Sequence, residues 1–189
     1  MAVFINTFFE ERVQQLFSLA ELVEKIFASA DLEYRVVGGL ATYLYVEQAE
    51  PDAGRLTKDI DIAVRREDLQ KIAEAAAQFG FQHRHVAGVD MLVQANAPSA
   101  RRAVHLIFAG ERVRPEYPEP VPPLGPPQTI HGIRVVPFID LLRMKLTSFR
   151  LIDAAHIKDL DNVGLITAEV ENALPAVLRE RLAEIRVRD

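Results

Sequence analysis

The sequence predicts an α+β protein: a small mixed β-sheet flanked by helices, followed by a C-terminal helical region. Three observations lead there. Extended and helical patterns interleave in the first half, in the order helix, strand, helix, strand, helix, strands. A segment with seven prolines, Arg114 to Pro127, then interrupts all regular patterning. Beyond it, helical spacing dominates to the C-terminus.

Each element has a local reason. Phe9, Val13, Leu16, Phe17, Ala20, Val23 and Ile26 recur at helical spacing, which predicts an amphipathic helix over Phe8–Ala30. "EYRVVGG", Glu33 to Gly39, reads as a short strand ending in a glycine pair, and "LATYLYVEQ" resumes helical spacing. "PDAG" is a turn and "DIDIAV" a second strand. "REDLQKIAEAAAQFG" is a helix closed by Gly80. "FQHRHVAGVDMLVQA" reads as an extended strand or a hairpin, and "AVHLIF" as another strand. The proline-rich stretch is an ordered or semi-rigid crossing segment. "IRVVP" is a short strand. Helices are expected over Phe138–Arg150, from Asp153 to near Gly164, and over the last stretch, where Pro175 suits a first turn. The expected division is a core over 1–127 and a helical region over 128–189.

The composition narrows the function classes. There is no cysteine among 189 residues, which excludes disulfides, thiolate catalysis and cysteine-based zinc sites and suits a reducing cytoplasm. The N-terminus lacks a basic leader region, and the longest uncharged runs, such as Val36–Val46, are too short to span a bilayer. A net charge of −5 argues against a broad nucleic-acid-binding surface.

Asp59 and Asp61 carry the strongest chemical signal. Two residues apart on a strand, they project to one face while Ile60 and Ile62 point to the core. Two bare carboxylates about 6.5–7 Å apart along the chain repel. Mg²⁺ or Mn²⁺ relieves that repulsion, taking one or two protein carboxylates and completing its shell with water and phosphate oxygens. Solvated aspartates at a strand edge are the plain alternative. Gly38 and Gly39 favour the metal reading, because a glycine pair opening a helix lets phosphate approach backbone N–H groups. Together the two features describe a site for a metal–nucleoside triphosphate.

On these residues, "GGLATYLY…RLTKDIDI", the sequence resembles the DNA polymerase beta-like nucleotidyltransferase superfamily. The Arg55-x-Thr57-x-Asp59-x-Asp61 form and Ala41 look most like its AbiEii-type toxin and antibiotic nucleotidyltransferase branches, as does the block "LLRMKLTSFR…HIKDLDNVGLI". The resemblance implies a palm-like sheet and transfer of NMP from an NTP such as ATP to an acceptor hydroxyl, on an RNA end such as tRNA, a small molecule or a protein. It implies Mg²⁺ on Asp59 and Asp61, triphosphate on Gly38 and Gly39, and phosphate contacts from Thr57 and Lys58. From the helical block it implies Lys145, Arg150 and Lys158, which together with His156 otherwise read as a solvated basic face. A toxin role with an antitoxin partner also follows from it.

One position departs from the pattern. The superfamily's third carboxylate belongs on "RAVHLIF", where this chain has Ala103 and His105. Three outcomes are open: His105 serves as base or ligand, Asp90 on "VDMLV" supplies the acid, or the group is absent. In the last case the chain is slow or a noncatalytic nucleotide- or partner-binding protein. His83 and His85, two apart, lack a visible third ligand and read as an incidental pair rather than a zinc site.

Overall fold

The computed structural model describes residues 2–51, 53–57, 59–96 and 103–187. Its elements are α1 (Ala2–Ser29), β1 (Arg35–Val37), α2 (Gly38–Ala49), β2 (Ile60–Val64), a 3₁₀ turn at Arg66–Asp68, α3 (Leu69–Gln78), β3 (Phe81–Val86), β4 (Val89–Gln94) and β5 (Val104–Phe108). After the proline-rich segment come β6 (Gln128–Ile130), β7 (Ile133–Val135), α4 (Phe138–Ser148), α5 (Leu151–Asn162), α6 (Ala168–Asn172) and α7 (Ala176–Val187).

Among the described residues, seven strands form one mixed sheet in the order β3-β4-β5-β2-β1-β7-β6. β2 lies at the centre, parallel to β5 and antiparallel to β1. β1 pairs in parallel with β7, so residues 128–135, beyond the expected boundary, complete the same sheet as β1 and β2. The sequence reading had only β7 of this pair. Its partner β6 is joined through His131 and Gly132, both at positive φ (50° and 79°), which is the backbone of a two-residue hairpin turn. Ala87 and Gly88 (51° and 79°) make the same turn between β3 and β4, which settles that stretch as a hairpin.

The helices fall into two groups. α1 and α3 pack together, α3 also against β3 and α1 against β7. α2 packs on β1 and β2, and α4, α5 and α7 pack on one another, with α4 and α5 also against α2. α2 is buried from Gly39 to Val46, so its apolar residues run all round rather than along one stripe. The short α6 escaped the sequence reading. Its start is set by Thr167, whose hydroxyl accepts the Val170 N–H at 3.3 Å.

The proline-rich segment has neither helix nor strand, as expected. It is pinned to the sheet. Gly110 N–H donates to the Val121 carbonyl, and Val121 N–H returns to that of Glu111, both at 2.8 Å. Arg35, 2% exposed on β1, donates through its guanidinium to the Gly125 carbonyl. No helix among the described residues is long and apolar enough to cross a membrane.

Candidate functional site

Strand register assembles the first half of the site. Asp61 stands opposite Val37 on β1 and opposite His105 on β5. Its neighbours Ile60 and Ile62 are fully buried, anchoring β2 while the Asp61 carboxylate stays 29% exposed. His105 Nδ1 lies 3.0 Å from Asp61 Oδ1. That hydrogen bond is the main reason the imidazole holds its proton above the ordinary histidine range. Partial burial opposes it, and the Asp61 and Asp59 charges add to it. Asp59 is therefore within electrostatic reach of the same ring.

The glycine pair is set against these groups. Gly38 follows β1 at φ +66°, a conformation glycine adopts freely. A Cβ there would stand 2.1 Å from Asp61 Oδ2. A Cβ on Gly39 would stand 2.6 Å from Thr57 Oγ1. Both glycines thus leave space beside polar side chains of the motif preceding and opening β2.

The second half comes from the corner between α4 and α5. Lys145 is 4% exposed, and its Nζ lies 3.0 Å from Asp153 Oδ1 and 2.9 Å from His156 Nδ1. Asp153 also accepts from Ser148 Oγ and Arg150 Nε, both at 2.7 Å. Burial pushes the Asp153 carboxyl up, but the Arg150, Lys145 and Ser148 interactions outweigh it and hold it down at about 2. Burial, followed by the Lys145 charge, lowers His156 to about 4. The ring is neutral at physiological pH, so Nδ1 can accept from the Lys145 ammonium. Burial also draws Lys145 below its usual range, with Asp153 working against the shift. The turn is built by Phe149 at φ +51°, its ring beneath the Arg181 guanidinium, which also donates to the Leu146 and Thr147 carbonyls.

Between the halves lies a cavity of about 140 Å³. Gly38 and Asp61 line one side, Lys145, Ser148, Arg150 and Asp153 the other. Ile107, Val113, Met144 and the proline-rich segment's Tyr117 and Val121 supply apolar wall. Thr147 also lines it, and its buried Oγ1 has no hydrogen-bond partner among the described residues.

No protein-family model matches the chain, and no curated protein sequence matches it. Solved structures do. The crystal structure of ANT(2")-Ia in complex with adenylyl-2"-tobramycin is similar at 17% identity and TM-score 0.55, over 90% of this chain and 99% of that one. An antigenic nucleotidyltransferase-like protein from Paracoccidioides brasiliensis is similar at 17% identity and TM-score 0.56, over 90% of this chain and 86% of that one.

The chain has the nucleotidyltransferase fold. In this fold the expected residues come together unevenly. Gly38, Asp61, Lys145 and Arg150 share the cavity, and His105 joins it through Asp61. Gly39 and Thr57 lie side by side but do not line that cavity, and neither does Lys158, half-buried on α5. Lys58 lies outside the described residues. Arg55 Nε meets Asp159 Oδ2 at 2.7 Å, so the "RLTKDID" and "HIKDLDN" stretches touch directly.

Asp90 does not reach the site. It pairs with Leu106, and Leu106 with Ile62, which puts it on the opposite face from Asp61 and His105. There it accepts from His83 at 2.7 Å and His85 at 3.1 Å. The two histidines are thus partners of a carboxylate. Burial raises Asp90, but the two imidazole hydrogen bonds prevail and hold it below the usual range.

Asp153, Ser148 and Thr147 were not anticipated, and His156, expected only within the basic face of Lys145, Arg150 and Lys158, is instead a neutral, buried partner of Lys145. One signal existed: Asp153, His156, Ile157 and Leu160 follow i, i+3, i+4, i+7 spacing, which puts two polar residues on a core stripe. A partly exposed carboxylate is a ligand that a hard divalent cation takes, and the space a Gly38 side chain would fill adjoins that of Asp61. Among the described residues no group of three His, Asp or Glu side chains could hold a metal ion. Asp61 thus offers a carboxylate to a cation that would bring most of its ligands with it, and Asp59 lies within electrostatic reach of the adjoining His105.

Proposed function

We propose that the chain is a nucleotidyltransferase that uses Mg²⁺ or Mn²⁺ to move NMP from an NTP to an acceptor hydroxyl. The observation that carries this reading is Asp61, exposed at a cavity whose opposite wall holds Lys145 and Arg150 and beside a glycine that leaves room for a ligand. Asp59 and Asp61 would hold the cation, which supplies charge neutralisation at the phosphates. Gly38, Gly39 and Thr57 would border the triphosphate, and Lys145 and Arg150 would meet its charge from the helical side.

The acceptor oxygen attacks the α-phosphorus, the α–β P–O bond breaks and pyrophosphate leaves. The hydroxyl proton goes to His105 Nε2. A carboxylate only accepts hydrogen bonds, so Nδ1 carries the proton it donates to Asp61, and Nε2 carries the lone pair of the neutral ring. The fold relative bearing an adenylylated aminoglycoside supports a small hydroxylated molecule as one acceptor class, beside an RNA end or a protein hydroxyl. The AbiEii-type branch, a toxin role with an antitoxin, and a cytoplasmic setting rest on the sequence motifs and the absence of cysteine.

Incubation with each α-labelled NTP, Mg²⁺ and a cell extract tests the reading. A labelled product identifies the acceptor. A second reading, noncatalytic Mg–NTP binding, is favoured by Ala103, fully buried where an acid is expected. It predicts nucleotide binding with no labelled product from any extract.

A further inference from the structure

Two cations side by side require more anionic ligand than one. In two-metal phosphoryl-transfer sites the ions stand about 3.5–4 Å apart and clamp both the attacking and leaving oxygens. Carboxylates must bridge or flank them to screen their repulsion. Of the carboxylates lining the cavity, Asp153 is held by Lys145, Ser148 and Arg150 and Glu119 by Arg143, which leaves Asp61, with Asp59 in electrostatic reach of His105. The position directly across from Asp61 on β5 is His105, and its Nδ1 occupies Asp61 Oδ1 at 3.0 Å. Two residues upstream, Ala103 is fully buried and offers no ligand atom. Asp90 faces the other side of the sheet, held by His83 and His85. Imidazole suits zinc, copper, iron and nickel, whereas Mg²⁺ and Mn²⁺ sites are built from carboxylate, carbonyl and water.

We propose that this site takes a single divalent cation, the one that accompanies the triphosphate, and that His105 stands where a ligand of a second cation would be. The proposal rests on the nucleotidyl-transfer reading.

Counting the cation tests this without turnover. The full chain is mixed with equimolar α,β-methylene ATP, and bound Mn²⁺ is titrated by electron paramagnetic resonance. The expected count is one Mn²⁺ per chain in the parent and in His105→Asn, and two in His105→Asp. Two in the parent overturns the proposal, whether or not His105→Asp folds. One in a His105→Asp protein with parent-like circular dichroism also overturns it. No Mn²⁺ bound by the parent, with or without nucleotide, overturns the nucleotidyl-transfer reading as well, so the two failures are distinguishable.

Discussion

The two walls of the cavity handle charge in opposite ways. On the sheet side, Asp61 and His105 share one hydrogen bond and remain about a quarter exposed. On the helix side, Lys145 and Asp153 are almost wholly buried and bonded to several partners each, including His156, Arg150 and Ser148. A group with spare hydrogen-bonding capacity and solvent access can exchange water for a ligand at small cost. A buried, satisfied group cannot be disturbed cheaply, because each lost partner leaves a desolvated charge. The sheet wall is therefore read as the side that does chemistry. The helix wall is a fixed electrostatic backdrop that holds Lys145 and Arg150 in place.

This contrast can be broken most sharply at His105. His105→Ala should lower the transfer rate about a hundredfold to ten-thousandfold, as expected for loss of a general base. Its urea midpoint should stay near the parent's, because the ring is about a quarter exposed and makes a single side-chain hydrogen bond. Equal loss of rate and stability would erase the distinction between the walls.

Asp153→Ala should do the reverse and strike stability first. Removing one partner of a buried pair typically costs about 3–5 kcal/mol. Equilibrium urea unfolding reads this directly, and a cost below 1 kcal/mol would show that the cluster is not the satisfied unit described above.

Gly38→Ala lies between the two walls in effect. The positive φ alone costs a side-chain-bearing residue roughly 1–2 kcal/mol, and the new Cβ would collide with Asp61 Oδ2. The variant should lose thermal stability modestly and Mg–NTP affinity more. Calorimetry showing parent affinity in the folded variant would move the phosphate cradle elsewhere.

The smallest effect is a pH slope. His156 is held at about 4 by burial and by Lys145, with Asp153 opposing and Arg55 and Arg150 adding repulsion. The unfolded ring titrates at its usual value, about 6.5. As pH falls below that value the unfolded chain gains a proton that the folded chain refuses until about 4, so stability falls across that window. Melting temperature should rise from pH 4 to 6.5 in the parent, and His156→Ala should flatten part of that rise.

The sequence was most legible where periodicity and composition agree. The alternation in "DIDIAV" marked β2, and the glycine pair marked the β1–α2 turn. Prolines 115 to 127 marked a segment without regular structure. Register was not legible. That Asp61 faces His105 while Asp90 faces away depends on how β4, β5 and β2 pair, and a one-residue slip would reverse it. The hairpin turn at His131–Gly132 lacks the usual Asn or Asp, so β6 went unseen. Asp153, and the part His156 plays beside it, were hidden for another reason. Their role arises from α4 and α5 meeting at the Phe149 corner, a tertiary contact that no local pattern encodes.

One measurement bears most directly on the claim that Asp61 is the centre of nucleotidyl transfer. The parent and Asp61→Asn are incubated in parallel with α-labelled and γ-labelled NTP, Mg²⁺ and the acceptor found in extract. The account predicts that the parent moves the α-label to the acceptor and releases the γ-label as pyrophosphate. The Asp61→Asn rate should fall by about a thousandfold or more, the several kcal/mol that cation stabilisation supplies. Transfer of the γ-label to the acceptor, or an Asp61→Asn protein as fast as the parent, would contradict it.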